Sequence, residues 1–284
     1  MRRIIVGIER SAHSGAALDW AARRCEHPTA RLVVVHCTGY TLTEFDLPNN
    51  LLDPDAADLL ANAEARAREL VPGLEVETRL DRRRPAQALV ELAGPDDLLV
   101  VGTHRLSPAE RAFAGSLAYQ VAAHAPCPVA VVPGPPRADA TGIVVGVDDS
   151  SYSVAALDVA ASLCEWTGHD LHVVHALSDA SVYAGRESFP TEVVATYHQS
   201  QRLILSEVMA GLAERHPDVR VHADLSNERP AKALLTAASS AWLLVVGSRG
   251  RHGLPRLLLG STSHTVVLNA RCPVLVVRAR EGAQ

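Results

Sequence analysis

At 284 residues the chain fits one large or two ordinary domains, either of which could bury a full core. Its hydrophobic (48%) and charged (21%) fractions are those of a globular protein, and no apolar run approaches the roughly 18 residues of a membrane span, so a membrane is not an expected partner. The net charge is −5 and acidic residues outnumber basic ones in each half, which removes nucleic acid from the expected partners as well.

The start, Met1-Arg2-Arg3, leads straight into a short Ile-Ile-Val run and not into the apolar stretch of a signal peptide. The five cysteines, Cys25, Cys37, Cys127, Cys164 and Cys272, are an odd number without a CxxC pair. Buried free thiols in a reducing, cytoplasmic setting are therefore expected. Lys232 is the sole lysine, a compositional bias without chemical meaning.

Taken in order, Arg3 to Glu9 is continuous and β-branched, as a strand covered on both faces should be. Ser11 is a cap candidate for a helix through Ala16–Ala22, and Arg31 to Cys37 is a second strand. Residues 38–54, rich in Thr, Pro and Asn, read as a loop. Ala57, Leu60, Ala61, Ala65 and Leu70 then fall at helical spacing, and Leu74–Leu80 alternates as a strand. Pro85–Ala93 is a short helix opened by proline, and Asp97–Gly102 is a fourth strand. A loop and helix from Thr103 to His124 precede a fifth strand, Pro126–Val132. Strands alternating with helices indicate a parallel α/β sheet.

The Pro- and Ala-rich stretch Pro133 to Thr141 marks a boundary, after which the series repeats. Val6-Gly7-Ile8 returns as Val145-Gly146-Val147, Leu18-Asp19 as Leu157-Asp158, Cys25 as Cys164 and His36 as His175, all 139 residues on. Beyond the middle loop the offset is 145: Arg84-Pro85 returns as Arg229-Pro230, Gly102 as Gly247, Gly115-Ser116 as Gly260-Ser261 and Cys127-Pro128-Val129 as Cys272-Pro273-Val274. The second copy is thus six residues longer between His175 and Arg229. This puts one domain at 1–134, a linker at 135–141 and a second domain at 142–284; a period this long means duplicated globular domains and not a solenoid.

Chemistry concentrates where the strand ending Val245-Val246-Gly247 opens into Ser248-Arg249-Gly250-Arg251-His252-Gly253, with Gly260-Ser261-Thr262 following where a helix should begin. Glycines permit φ > 0 and a close backbone approach to an anion, successive N–H groups make a concave anion site, and a helix N-terminus adds partial positive charge. Such a loop suits phosphate. A mobile surface loop is the plain alternative.

Together these residues resemble the universal stress protein family. The resemblance rests on Ile143-Val144-Val145-Gly146-Val147-Asp148-Asp149-Ser150, on the Val-Val-His end of the second strand, on the Gly247-x2-Gly250-x9-Gly260-Ser261 spacing and on the tail Cys272-Pro273-Val274-Leu275-Val276-Val277. It covers both halves, as in the tandem members common in actinobacteria. The resemblance implies two open parallel five-stranded sheets in the order 3-2-1-4-5 with helices on both faces, like the adenine nucleotide alpha hydrolases. It also implies a nucleotide at the carboxyl ends of strands 1 and 4, where an open α/β sheet changes direction. The family's fifth strand usually pairs with that of a partner domain, so Pro128–Val132 and Pro273–Val277 are expected to pair within the chain, and a homodimer is a further option.

Carried over residue by residue, Gly247, Ser248, Arg249, Gly250, Arg251, Gly253, Gly260, Ser261 and Thr262 are the phosphate-contacting set. Asp148 is expected by the ribose and adenine, Gly146 belongs to the same cofactor-binding set, and Ala176 is the small residue that leaves room for the ring. The plain reading makes Asp148-Asp149-Ser150 a helix cap. In the first half the corresponding, weaker set is Gly7, Glu9, Cys37, Gly102, Arg105, Gly115 and Ser116. Glu9 stands where the family expects Asp, its extra methylene intruding on ribose space, and Arg105 stands where the second loop glycine belongs and resists φ > 0. The second domain is therefore the expected nucleotide site.

Other residues point to less. His169, His172 and His175 have metal-like spacing, but strand positions three apart face opposite sides. Arg82-Arg83-Arg84 reads as a solvated turn, and Cys127 and Cys272 as core residues. Tyr183 to Thr196, in the extra length, is either a lid over the nucleotide or a plain insertion. The expected function is a cytoplasmic stress-response module that binds ATP, with magnesium where the phosphates bring it, and has no catalytic residues of its own. A slow ATPase or nucleotidyl-transfer enzyme and a nucleotide-free interaction protein are the alternatives. Against an enzyme, there is no Gly-x4-Gly-Lys-Ser/Thr loop, no Gly-x-Ser-x-Gly and no His-Glu-x-x-His.

Overall fold

A computed structural model of the chain describes residues 3–25, 30–39, 53, 55–103, 117–135, 137–176, 191–251 and 259–279. The chain divides into two compact units, Met1–Pro136 and Arg137–Gln284.

In the first unit the strands are β1 (Arg3–Ile8), β2 (Arg31–Cys37), β3 (Val76–Asp81), β4 (Leu98–Gly102) and β5 (Val129–Val132), and the helices are α1 (Ala12–Arg24), α2 (Ala56–Leu70), α3 (Pro85–Leu92) and α4 (Leu117–His124). The strands run parallel in the order β3-β2-β1-β4-β5. Ile4, Ile5, Val6, Leu99, Val100 and Val101 are all buried, so the central strands are apolar on both faces as parallel strands under two helical layers must be. The edge strand β3, Val-Glu-Thr-Arg-Leu-Asp, keeps Glu77, Thr78 and Arg79 exposed, and the two charges blunt the edge.

Two glycines set the helical layers. A Cβ on Gly7 would lie 2.9 Å from Leu89 Cδ1 on α3, and one on Gly102 would lie 2.6 Å from the His13 carbonyl oxygen on α1. Gly7 pairs with Val101 across the ladder, so Gly102 faces the other side of the sheet and the two helices pack on opposite faces.

The second unit repeats the plan with β6 (Ile143–Val147), β7 (Leu171–Ala176), β8 (Val221–Ser226), β9 (Leu243–Gly247) and β10 (Val274–Val277), again parallel and ordered β8-β7-β6-β9-β10. Its helices are α5 (Ser151–Thr167), α6 (Thr191–Met209), the single turn α7 (Leu212–Arg215), α8 (Pro230–Ala237) and α9 (Ser261–Asn269). The glycine contacts recur: Gly146 meets Leu234 of α8 and Gly247 meets the Tyr152 main chain of α5, both at 2.9 Å for an added Cβ. Ser11 and Ser150 cap α1 and α5 by accepting from Ser14 and Ser153 N–H at 3.2 Å, and Pro85 and Pro230 open α3 and α8. Of the stretch 183–196 read as a lid or insertion, Thr191 to Thr196 begin α6 and the rest lies outside the described residues.

Candidate functional site

Strands β6 and β9 lie side by side, and at their carboxyl ends the second unit holds a cavity of about 500 Å³, within the usual range for a small-molecule site. Its floor and one wall are apolar: Gly146, Val147, Val174 and Val246 from the strands, Pro230 and Leu234 from α8. Ala176, at the end of β7, lines it with a side chain too small to fill it. The rim comes from the loop after β9 through Arg249, Gly250 and Arg251, and from the start of α9 through Gly260, Ser261 and Thr262.

Asp148 follows β6 and is the cavity's acidic group. Its Oδ1 accepts from the Ser150 hydroxyl at 2.6 Å and the Ser150 N–H at 3.2 Å, and its Oδ2 accepts from the Arg251 N–H at 2.9 Å. The helix cap itself is Ser150, which leaves Asp148 facing the cavity; the plain reading of this triplet accounts for Ser150 alone. Arg251 is drawn to the same corner, its Nε donating to Asp149 Oδ1 at 2.7 Å and to the Asp148 carbonyl at 3.1 Å.

The N-terminus of α9 lines the same cavity. Gly260 occupies its cap position and has no side chain to cap the first turn, so among the described residues no side-chain cap competes with an anion for the amides of that turn. The Gly260 N–H donates to the Ser248 carbonyl at 2.8 Å, stitching helix start to loop start. The cavity is thus lined by a carboxylate, by Arg249 and by the first turn of α9.

Two sequence expectations need correction. Gly247, Gly250 and Gly260 do not have positive φ. At Gly247 and Gly250 glycine supplies room: a Cβ would lie 2.9 Å from the Tyr152 main chain at Gly247 and would run into Asp148 Oδ2 at Gly250, whereas at Gly260 it would meet only ordinary contacts. Ser248 does not line the cavity; it is fully buried, and its N–H is spent on the Val277 carbonyl at 2.7 Å, continuing the β9–β10 ladder. Gly253, and in the first unit Arg105, Gly115 and Ser116, lie outside the described residues.

A family model described as the universal stress protein family matches residues 1–133 and again 141–278. The chain belongs to the universal stress protein family. A universal stress protein of Mycobacterium tuberculosis is 33% identical over 97% of this chain and 96% of its own length. One of Mycolicibacterium smegmatis is 31% identical over 98% and 97%. A crystal structure of a universal stress protein from Archaeoglobus fulgidus aligns with a TM-score of 0.73 at 17% identity, covering 98% of this chain and 97% of that one, which shows the shared fold.

The two copies keep one scaffold under different rims. His36 Nδ1 meets the Ile8 carbonyl at 2.9 Å and His175 Nδ1 the Val147 carbonyl at 2.8 Å. The other ring nitrogen of His175 meets the Gln201 amide oxygen of α6 at 2.8 Å, whereas that of His36 meets the Asp53 carboxylate at 2.9 Å. Asp53 also receives Arg10 at 2.6 Å; these partners, Arg10 foremost, hold its carboxyl well below the usual range. Glu9 is exposed in the first unit, and Cys37 stands where the second has Ala176; burial pushes the Cys37 thiol up to about 11, so it stays protonated.

Sequence reasoning passed over Ser153, whose hydroxyl accepts from the Asp148 N–H at 3.2 Å, and Ser263, whose hydroxyl donates to the Gly247 carbonyl at 2.6 Å. The signal for Ser153 was present: Ser14 stands 139 residues earlier and holds the Glu9 N–H in the same way at 3.1 Å. Ser263 has no such sign, because Ala118 is its counterpart. The histidines behave as strand alternation requires: His175 is buried, while His172 is exposed and stacks on His222 with ring centroids 4.9 Å apart.

Proposed function

We propose that this universal stress protein is a cytoplasmic stress-response module that binds ATP in its second domain and passes the bound state on as a binding signal. The observation that carries the reading is the lining of the cavity: apolar strand residues and the small Ala176 suit a flat base, Asp148 suits ribose hydroxyls, and the glycine-capped start of α9 suits phosphates. The residues fit the group, since Gly250 leaves a space beside Asp148 that any Cβ would fill. Magnesium would come with the phosphates.

The first domain is the weaker partner. Glu9 and Cys37 replace Asp148 and Ala176, and Asp53 is committed to His36 and Arg10. We read the second site as one that holds ATP without turning it over, because its single described carboxylate already accepts three hydrogen bonds. The five cysteines are free and none is exposed, in keeping with a reducing compartment.

The test is to denature freshly purified protein and quantify released nucleotide by chromatography and mass spectrometry, then follow added ATP for many hours. One adenine nucleotide per chain and little ADP are expected. Two per chain would overturn the division between domains. None, with no binding of added Mg-ATP, would leave a nucleotide-free interaction protein.

A further inference from the structure

A second cavity, of about 300 Å³, lies in the first unit between α1 and α2, beside the carboxyl end of β1. The cavity of the second unit is walled by α8 and α9, the counterparts of α3 and α4, whereas α1 and α2 wall this one. Gly7 meets α3, so Ile8, the next residue of β1, faces the layer that holds α1. What the two linings have in common is the turn after the first strand, where Ile8, Glu9 and Ser14 answer to Val147, Asp148 and Ser153.

The walls are apolar: Ile8, Leu18 and Ala63 are buried there, and Leu59 of α2 is half-buried. Gly15 opens the α1 side. Its φ is not positive and a Cβ on it would meet nothing within 4 Å, so neither conformation nor crowding calls for glycine at this helical position, and the second copy has Val154 there. Two of the three charged groups of the lining are neutralised within the domain: Arg10 Nη2 donates to Asp53 Oδ1 and Arg66 Nη2 to Asp19 Oδ2, each at 2.6 Å. Glu9, the third, is exposed, and its carboxylate has no partner among the described residues. An uncompensated carboxylate beside an apolar hollow suits a cation with an apolar body, and an anion would meet like charge.

We propose that this cavity is a second ligand site, particular to the first domain, that takes a small organic amine: a ring or short chain between α1 and α2, with its ammonium group on the Glu9 carboxylate. The site does not depend on the nucleotide reading above. A mere packing void between two helices would be indifferent to the charge of what enters it, and this difference decides the matter.

The experiment is a titration of the full-length chain with benzylamine, benzyl alcohol and benzoate, which share a ring and differ in charge, followed by protein NMR chemical shifts for the wild type, Glu9→Gln, Gly15→Leu and Gly15→Val. The wild type is expected to bind benzylamine about fivefold more tightly than benzyl alcohol, the scale of an exposed ion pair, and benzoate least. Glu9→Gln should remove the preference for the amine and leave benzyl alcohol unchanged. Gly15→Leu should fill the cavity and abolish binding of all three; Gly15→Val, the residue of the second copy, carries the test if leucine prevents folding. Neither Gly15 variant should change the nucleotide released on denaturation, which keeps this site distinct from the one in the second domain. Benzylamine binding that survives in a folded Gly15 variant, or a preference for the amine that survives Glu9→Gln, overturns the proposal. A wild type that binds none of the three, or binds all three alike, overturns it as well.

Discussion

The Arg251 N–H donates to Asp148 Oδ2 at 2.9 Å, so the glycine loop after β9 is pinned to the turn after β6 through the carboxylate that faces the cavity. The Arg251 side chain closes the same turn on Asp149, a residue with φ of 65°, the one non-glycine positive φ among the described residues. Aspartate tolerates this conformation better than most side chains. If Asp148 holds a ribose hydroxyl as proposed, that hydroxyl shares Oδ2 with the loop's own amide.

It follows that Asp149→Gly, which keeps the backbone conformation and removes the side-chain half of the latch, should speed nucleotide association. The pair is partly exposed, at 32% and 39%, so the gain is limited to about fivefold, the scale of a surface ion pair of up to about 1 kcal/mol. Stopped-flow fluorescence with a labelled adenine nucleotide measures it. An unchanged association rate would show that the Arg251 side chain does not restrain the loop.

Two glycine substitutions should separate ligand space from packing space. Gly250→Ala pushes a methyl group against Asp148 at the rim, so nucleotide affinity should fall while thermal stability holds. Gly247→Ala drives a methyl group to 2.9 Å from the Tyr152 main chain under α5, and overpacking of this kind costs about 1–3 kcal/mol. Melting curves of the two variants should differ accordingly. Equal losses of stability would mean that Gly250 too is a packing residue.

Much of this was legible in the sequence because the chain carries it twice. Continuous apolar runs such as Ile4-Ile5-Val6 and Val144-Val145 announce buried parallel strands, and the paired offsets of Gly7, Gly102, Gly146 and Gly247 mark fixed points of the fold. What those glycines do was less legible: at Gly247 and Gly250 the demand is room for the Tyr152 main chain and for a carboxylate, and spacing alone does not tell room from φ. Ser248 sits inside the motif yet continues the sheet ladder, because the loop leaves the strand one residue later than the glycine pattern suggests. Gln201 could not be found at all, since its contact with His175 joins residues brought together only when α6 packs on β7.

Ala176 makes a third test. Ala176→Leu puts a large side chain at the cavity's apolar end, while Asp148 and the α9 terminus are left as they are. Affinity for adenosine and for ATP should fall by the same factor. Loss of ATP binding alone would show that the base does not lie against β7.

Acid should act on the first domain before the second. Asp81, at the end of β3, is buried and accepts from Arg83 Nη2 at 2.6 Å, Nε at 2.9 Å and N–H at 3.0 Å; these bonds, the side-chain ones foremost, hold its carboxyl down to about 2. A depressed carboxyl contributes stability that is complete above its unfolded value of about 4 and is lost as pH falls through the folded value. Asp53 is depressed in the same direction by Arg10 and His36. The second domain has Ser226 and Glu228 where the first has Asp81 and Arg83, so it lacks the charged pair. Trp20 is buried in the first domain and reports on it once Trp166 and Trp242 are replaced by phenylalanine. Its fluorescence should show unfolding between about pH 4 and pH 2, with a shallower fall in Asp81→Asn, which gives up stability at neutral pH and has less to lose in acid. If the fall is equally steep in the Asp81→Asn variant, other carboxylates govern the acid limit of this domain.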